Sequence, residues 1–328
     1  MHGWIILDKP VGLGSTQAVS AVKRALREGG YPKLKVGHGG TLDPLASGVL
    51  PVAVGEATKL AGRMLDSDKV YAFTVRFGEE TDTLDAEGAV IATSDVRPTS
   101  EAIEAVLPRF TGTIPQVPPA YSALKVDGKR AYDLARAGEE VALATRTVTV
   151  HALHSSQVLG GGPFEERLGG MAADGSLAAS PLHQPAAGSP PRAGEDEVTL
   201  VGHVSKGTYI RSLARDIAQA LGTVGHVTML RRIKAGPFGL DSAISLDKLA
   251  EAGKARVLED VSLPLTAGLD DIPALPVTPD QAGLLRQGRV LVGIAVDDGQ
   301  YFACRADVPV ALVEAQDREV RVVRGFNL

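Results

Sequence analysis

Gly37-His38-Gly39-Gly40-Thr41-Leu42-Asp43-Pro44-Leu45-Ala46-Ser47-Gly48-Val49-Leu50-Pro51 sets one carboxylate, Asp43, in a short loop between glycines and then runs into an apolar segment. Local rules give Asp43-Pro44 as a helix start. A carboxylate accepts the unsatisfied N–H groups of a first turn, and proline suits the first helical position. A functional reading stands beside it. Glycine on both sides lets another backbone approach closely, and His38 is near enough to contact a ligand of Asp43.

Working outward, residues 4–7 are an apolar strand closed by the turn Asp8-Lys9-Pro10. Ser15 or Thr16 is placed to cap a helix to about residue 27, with Val19, Val22 and Leu26 at helical spacing and Gly29-Gly30 at its end. Residues 37–40 read as a loop, residues 45–50 as a short apolar segment, and residues 70–77 alternate as a strand does. Helices are expected over 100–110, 131–137, 211–221 and 244–251, while the prolines of 115–120 demand extended chain. Residues 160–194 are rich in Gly, Ala, Pro and Ser. Such a stretch buries too little apolar surface to offset its ordering entropy, so it reads as a poorly ordered insertion ahead of a strand at 198–205. From residue 273 the texture turns β-rich: a short helix at 281–288, then strands at 290–296, 301–305, 308–313 and 319–323.

The 328 residues suggest two domains at roughly 150 residues each. Hydrophobic residues make up 44%, enough for a sizeable core. No apolar run approaches the roughly 18 residues of a membrane span, and residues 1–10 lack the basic-then-apolar layout of a secretory signal. The single cysteine, Cys304, excludes an intrachain disulfide and a multi-cysteine zinc site. A soluble, cytoplasmic protein is the expectation. The net charge of −5 argues against nucleic acid, but binding answers to the local field. Residues 204–236 hold six basic residues (Lys206, Arg211, Arg215, Arg231, Arg232, Lys234) against one acid, Asp216. By charge alone that is an amphipathic helix with a solvated basic face.

Three further clusters matter. In Ser205-Lys206-Gly207-Thr208-Tyr209-Ile210-Arg211 a glycine turn leads into a helix whose Arg211 could pair with a carboxylate in a cleft. In Asp68-Lys69-Val70-Tyr71-Ala72-Phe73, Tyr71 is either core or a face for stacking a base. Thr81-Asp82-Thr83-Leu84-Asp85-Ala86-Glu87-Gly88 departs from the spacing of a calcium loop and reads as a turn. No phosphate loop ending in Gly-Lys-Ser/Thr, no GxSxG and no HExxH is present.

Taken in order, these stretches resemble the bacterial tRNA pseudouridine-55 synthases, the TruB family. The matching set is Leu7-Asp8-Lys9-Pro10, the stretch from Gly37 to Pro51, Gly55-Glu56-Ala57-Thr58-Lys59, Asp66-Ser67-Asp68-Lys69-Val70-Tyr71, Thr81-Asp82-Thr83-Leu84-Asp85, Tyr121-Ser122-Ala123-Leu124-Lys125, Ser205 to Arg211, and Leu230-Arg231-Arg232. It covers about residues 3–250, and its order makes it specific.

The resemblance implies isomerisation of uridine 55 in the tRNA T-loop. Asp43 matches the catalytic aspartate, a nucleophile at sugar or base, and Arg211 the arginine that pairs with it. Tyr71 matches the tyrosine that stacks on the uracil and helps remove its C5 proton. Tyr209 and Leu230 match residues lining the uracil pocket, and His38 the histidine supporting the T-loop. Lys59, Lys125, Lys129, Arg130, Arg136, Arg146, Arg231 and Arg232 are candidate contacts to the tRNA backbone. No metal, cofactor, membrane or obligatory protein partner is expected. The implied fold is an α+β catalytic domain on a mixed, largely antiparallel sheet over residues 1–265. It carries a mobile tRNA-binding insertion at about 119–147 and the low-complexity insertion at 160–194, and a PUA-like β-barrel module follows at 273–328. The rival classes are an RNA chaperone without catalysis and a guide-RNA-dependent relative. The Asp43, Tyr71 and Arg211 trio speaks against the first, and the lack of a long basic tail against the second.

Overall fold

The computed structural model describes residues 1–122, 124–126, 128–139, 141, 143–156 and 194–328. All but the last residue of the expected 160–194 insertion lies outside them. The chain divides into two compact units, one of Met1–Pro44, Gly48–Asp66 and Ala235–Leu328, the other of Leu45–Ser47 and Ser67–Lys234.

In the first unit, β1 (Gly3–Lys9) carries four successive apolar residues, Trp4 to Leu7, each at most 1% exposed, so both its faces are covered. Helix α1 (Ser15–Glu28) turns Ala18, Val19, Val22 and Leu26 inward, as their spacing requires. Next come β2 (Val36–His38) and β3 (Ser47–Val54). β3 pairs antiparallel with both β1 and β2, with Leu7 opposite Leu50 and His38 opposite Val52. Trp4 sits against Phe238 at 5.2 Å, donates from its indole N–H to the Leu265 carbonyl at 3.2 Å, and shares its core with Met64, Leu312 and Phe326. The C-terminal strands form a five-stranded sheet in the order Ala274–Pro276, Gly299–Arg305, Val308–Gln316, Glu319–Gly325, Leu291–Val292. The first pair is parallel and the rest antiparallel. Helix Pro279–Arg286 packs Ala282 and Leu285 into that sheet's own core.

The second unit is built on a sheet with order β8-β4-β7-β6-β5, where β4 is Lys69–Phe77, β5 Gly112–Gln116, β6 Arg146–Ser155, β7 Glu197–Val204 and β8 Gly225–Ala235. The pairs β4–β7, β7–β6 and β6–β5 are antiparallel. Helix α2 (Ile210–Ala220) buries Leu213, Ala214, Ile217 and Ala218. Helix Ala131–Arg136 follows the two-residue hairpin Lys125–Val126/Lys129–Arg130. This α+β arrangement with a β-rich C-terminal part is the expected fold class.

Several local expectations are corrected. Gly14, not Ser15 or Thr16, caps α1, with the Gln17 side chain accepting from its N–H at 2.8 Å. Of the loop expected over 37–40, residues 37 and 38 are the end of the strand Val36–His38. No helix begins at Asp43-Pro44, which enters a turn leading into β3. Only Leu291–Val292 of the expected 290–296 strand pairs. The basic stretch is a helix followed by a strand, and its face is not wholly solvated: Arg211 is 6% and Arg232 1% exposed.

Trp4→Ala should cost about 3–5 kcal/mol in urea unfolding, the range for emptying a buried aromatic site. A cost of about 0.5 kcal/mol or less, as at a surface position, would contradict the place given to Trp4.

Candidate active site

The loop carrying Asp43 is held on both sides of that residue. Ser15, at the start of α1 and 5% exposed, turns its hydroxyl away from the helix and onto Leu42. Its Oγ donates to the Leu42 carbonyl at 2.9 Å and accepts from the Leu42 N–H at 2.8 Å. On the other side, the Pro44 carbonyl accepts from the Gly12 N–H at 2.7 Å. The fully buried Lys9 ammonium donates to the carbonyls of Pro10 at 2.9 Å, Leu13 at 2.7 Å and Pro44 at 3.4 Å. Asp43, between two tethered neighbours, remains only partly buried. Upstream, a Cβ on Gly39 would stand 2.5 Å from that of Met64, so only glycine fits. Gly40 has φ +143°, which side chains rarely adopt. His38 accepts from the Gly40 N–H through Nδ1 at 3.4 Å.

In the second unit, Arg211 lies in the first turn of α2 and points inward. Its Nη1 donates to Asp85 Oδ2 at 3.0 Å and to the Thr83 carbonyl at 2.8 Å, and Nη2 donates to the Tyr121 carbonyl at 3.0 Å. The Asp85 side chain is 2% exposed. Its other oxygen accepts from Thr83 Oγ1 at 2.5 Å and from the Glu87 N–H at 3.0 Å. The 81–88 segment is thus a turn, as expected, and also the seat of the arginine. Tyr121 donates its hydroxyl to Asp82 at 3.3 Å, and burial followed by the Asp82 charge raises its phenol pKa.

Tyr71 is half-buried on β4, while its neighbours Ala72 and Phe73 are fully buried. The residue paired with it on β7 is Gly202, which has no side chain to cover the ring. Tyr209 immediately precedes α2. Its peptide is clamped by the 1%-exposed Gln116, which accepts from the Tyr209 N–H at 2.8 Å and donates to its carbonyl at 3.1 Å. The Arg146 guanidinium lies 4.6 Å over the Tyr209 ring. Its Nε and Nη2 are buried with no hydrogen-bond partner among the described residues. Burial pushes its pKa below the ordinary value, and the neighbouring Tyr209 opposes that shift. An arginine left in this state suits an anion delivered from outside. Leu230 is buried on β8.

The other candidate cations divide by environment. Lys129 and Arg136 are exposed. Arg231 is partly buried, with Nη1 3.4 Å from Ser47 Oγ. The Lys59 ammonium is engaged by Glu56 at 2.6 Å and the Gly325 carbonyl at 2.8 Å. Arg232 lies inside the fold, so it does not sit on a surface that meets phosphates. The side chains of Lys125 and Arg130 lie outside the described residues. Sequence reasoning missed Ser15, Asp85 and Gln116 as positioning groups.

The family description "TruB family pseudouridylate synthase (N terminal domain)" matches residues 24–161, and "tRNA pseudouridylate synthase B C-terminal domain" matches residues 211–270. A tRNA pseudouridine synthase B of Novosphingobium aromaticivorans is 60% identical over 328 residues, covering 100% of this chain and 98% of the relative. The chain belongs to the TruB family of pseudouridylate synthases. Its counterpart of the same name in Zymomonas mobilis is 56% identical over 327 residues, covering 100% of this chain and 96% of that one. The TruB-family fold also matches a chain in the solved "Structure of H/ACA RNP bound to a substrate RNA containing 2'-deoxyuridine". There the TM-score is 0.67 at 22% identity, over 99% of this chain and 85% of that one, a likeness of fold alone.

Asp85→Ala removes a buried carboxylate partner of Arg211 and should cost about 3–5 kcal/mol. Asp85→Leu combined with Arg211→Met should recover most of that loss, because it removes both charges. Equal destabilisation by the single and double variants in chemical unfolding would contradict the pairing.

Proposed function

We propose that this TruB-family enzyme isomerises uridine 55 in the T-loop of tRNA to pseudouridine, with Asp43 as the nucleophile. The observation that carries the reading is the tethering of the Asp43 loop. Leu42 and Pro44 are fixed by Ser15, Gly12 and Lys9, and no helix begins at Pro44 to take the carboxylate as a cap. A carboxylate held this way in a partly open loop suits attack on a base or sugar brought to it.

In the reaction the N1–C1′ bond breaks, the uracil turns, C5 bonds to C1′, the C5 proton leaves and N1 takes one up. Atoms and electrons balance without an oxidant or reductant. The uridine must leave its stack, at a cost of a few kcal/mol. Tyr71, uncovered by Gly202, offers the face on which the uracil rests and assists removal of the C5 proton. Tyr209 and Leu230 line the uracil pocket, and His38 supports the emptied T-loop. Arg211 pairs with Asp43. Arg146, Lys125, Lys129, Arg130, Arg136 and Arg231 contact RNA phosphates, and residues 273–328 add an RNA-binding surface. T-arm recognition rests on shape and backbone more than on groove reading.

With unmodified tRNA tritiated at uridine C5, the wild type should release tritium and Asp43→Asn should release none while still binding tRNA. Release by Asp43→Asn would overturn the nucleophile, and no release by the wild type under binding conditions would overturn the reaction. Arg146→Ala should weaken tRNA binding and reduce the salt slope by one phosphate contact, roughly 0.7–0.9. An unchanged slope would remove Arg146 from the phosphate contacts.

A further inference from the structure

Outside the groups assigned to the reaction, the second unit brings two histidines and one carboxylate to a single point. Asp68 immediately precedes β4, His203 is on β7 and His151 on β6. Nε2 of His151 is 3.1 Å and Nε2 of His203 3.9 Å from the same Asp68 oxygen, Oδ2. The two imidazole rings lie 4.7 Å apart at 46°. One potential ligand atom from each of the three residues falls within 4.8 Å of the others.

We infer that Asp68, His151 and His203 form a binding site for a divalent zinc-type ion. Bonds of about 2.0–2.1 Å to imidazole nitrogen and carboxylate oxygen put tetrahedral ligand atoms roughly 3.3–3.4 Å apart. The separations of 3.1 and 3.9 Å from Asp68 bracket that value, and the imidazole ligand atoms lie within 4.8 Å of each other, so side-chain rotation can bring all three to one ion. Two imidazoles and one carboxylate are a borderline donor set that favours zinc over magnesium or calcium. The side chains are 47%, 38% and 23% exposed for Asp68, His151 and His203, which leaves a fourth position for water.

The backbone provides a second, independent sign. The pairing of β6 with β7 slips between Val150 and Ala152, so His151 is the extra residue of a β-bulge. The burial pattern changes phase there: Val148 and Val150 point inward before it, Leu153 and Ser155 after it. A bulge re-aims one side chain at the expense of ladder bonds. Here that side chain is His151, set beside the His203 ring. A bound ion would tie β6, β7 and the start of β4 together one register position from Tyr71, which pairs with Gly202.

The test is calorimetric titration of the full chain with Zn2+ after chelator treatment, with Co2+ absorption as a second readout. One ion per chain is expected, with visible bands of four-coordinate Co2+ and a zinc-dependent rise in melting temperature that a chelator reverses. His151→Gln and His203→Gln keep a hydrogen-bonding side chain but remove an imidazole ligand, and each should weaken binding at least tenfold. Their metal-free melting temperatures, compared with that of the metal-free wild type, report whether the fold survives. Asp68→Asn should weaken binding as well. Absence of binding at micromolar zinc, or unchanged binding in both histidine variants, would overturn the site and leave a hydrogen-bonded cluster only.

Discussion

The Ser15 hydroxyl both gives a hydrogen bond to Leu42 and takes one from it, and the position of Asp43 depends on that exchange. A loop entered through Gly39 and Gly40 has wide backbone freedom. The Asp43 carboxylate would otherwise sample many places. The clamp acts on Leu42, the residue next to Asp43, and so removes that freedom where the carboxylate is carried. Lys9 repeats the device on the other side: its buried ammonium answers three carbonyls, one of them that of Pro44. Gly39 adds a steric limit, because Met64 leaves no room for a side chain.

The same logic recurs around Arg211 in the second unit. Asp85, Thr83 and Tyr121 fix the guanidinium plane through three hydrogen bonds, and Asp85 is itself held by Thr83 and Glu87. A planar fork bound at both terminal nitrogens cannot swing. Gln116 does for the Tyr209 peptide what Ser15 does for Leu42, through one donor and one acceptor. Asp43, Arg211 and Tyr209 thus each rest on a buried polar side chain held by the fold.

Much of this was legible in the chain, and the misses have physical causes. The order of the motifs identified the family and fold class, and the apolar spacing of Val19, Val22 and Leu26 located α1. Ser15 was read as a cap because a serine at a helix start satisfies the local rule. Its true partner is 27 residues away, beyond any local rule. The turn at 81–88 was recognised, but not its ion pair, whose members are 126 residues apart. Strand β8 went unread because its alternation is broken: Arg232 is buried in it, while Thr228 and Met229 side by side are only partly so. Asp43-Pro44 satisfies the rules for a helix start, yet the chain needs those residues to enter β3.

The central claim is that tethering beside Asp43, more than contact with RNA, sets the rate. Single-turnover conversion of tRNA at saturating enzyme, measured for Ser15→Ala beside the wild type at a temperature where both are folded, addresses it most directly. The account predicts a rate constant lower by about 100-fold, the scale of a 1 Å misplacement of a reacting group, with tRNA affinity unchanged. An unaltered rate constant, or a loss confined to affinity, would contradict it.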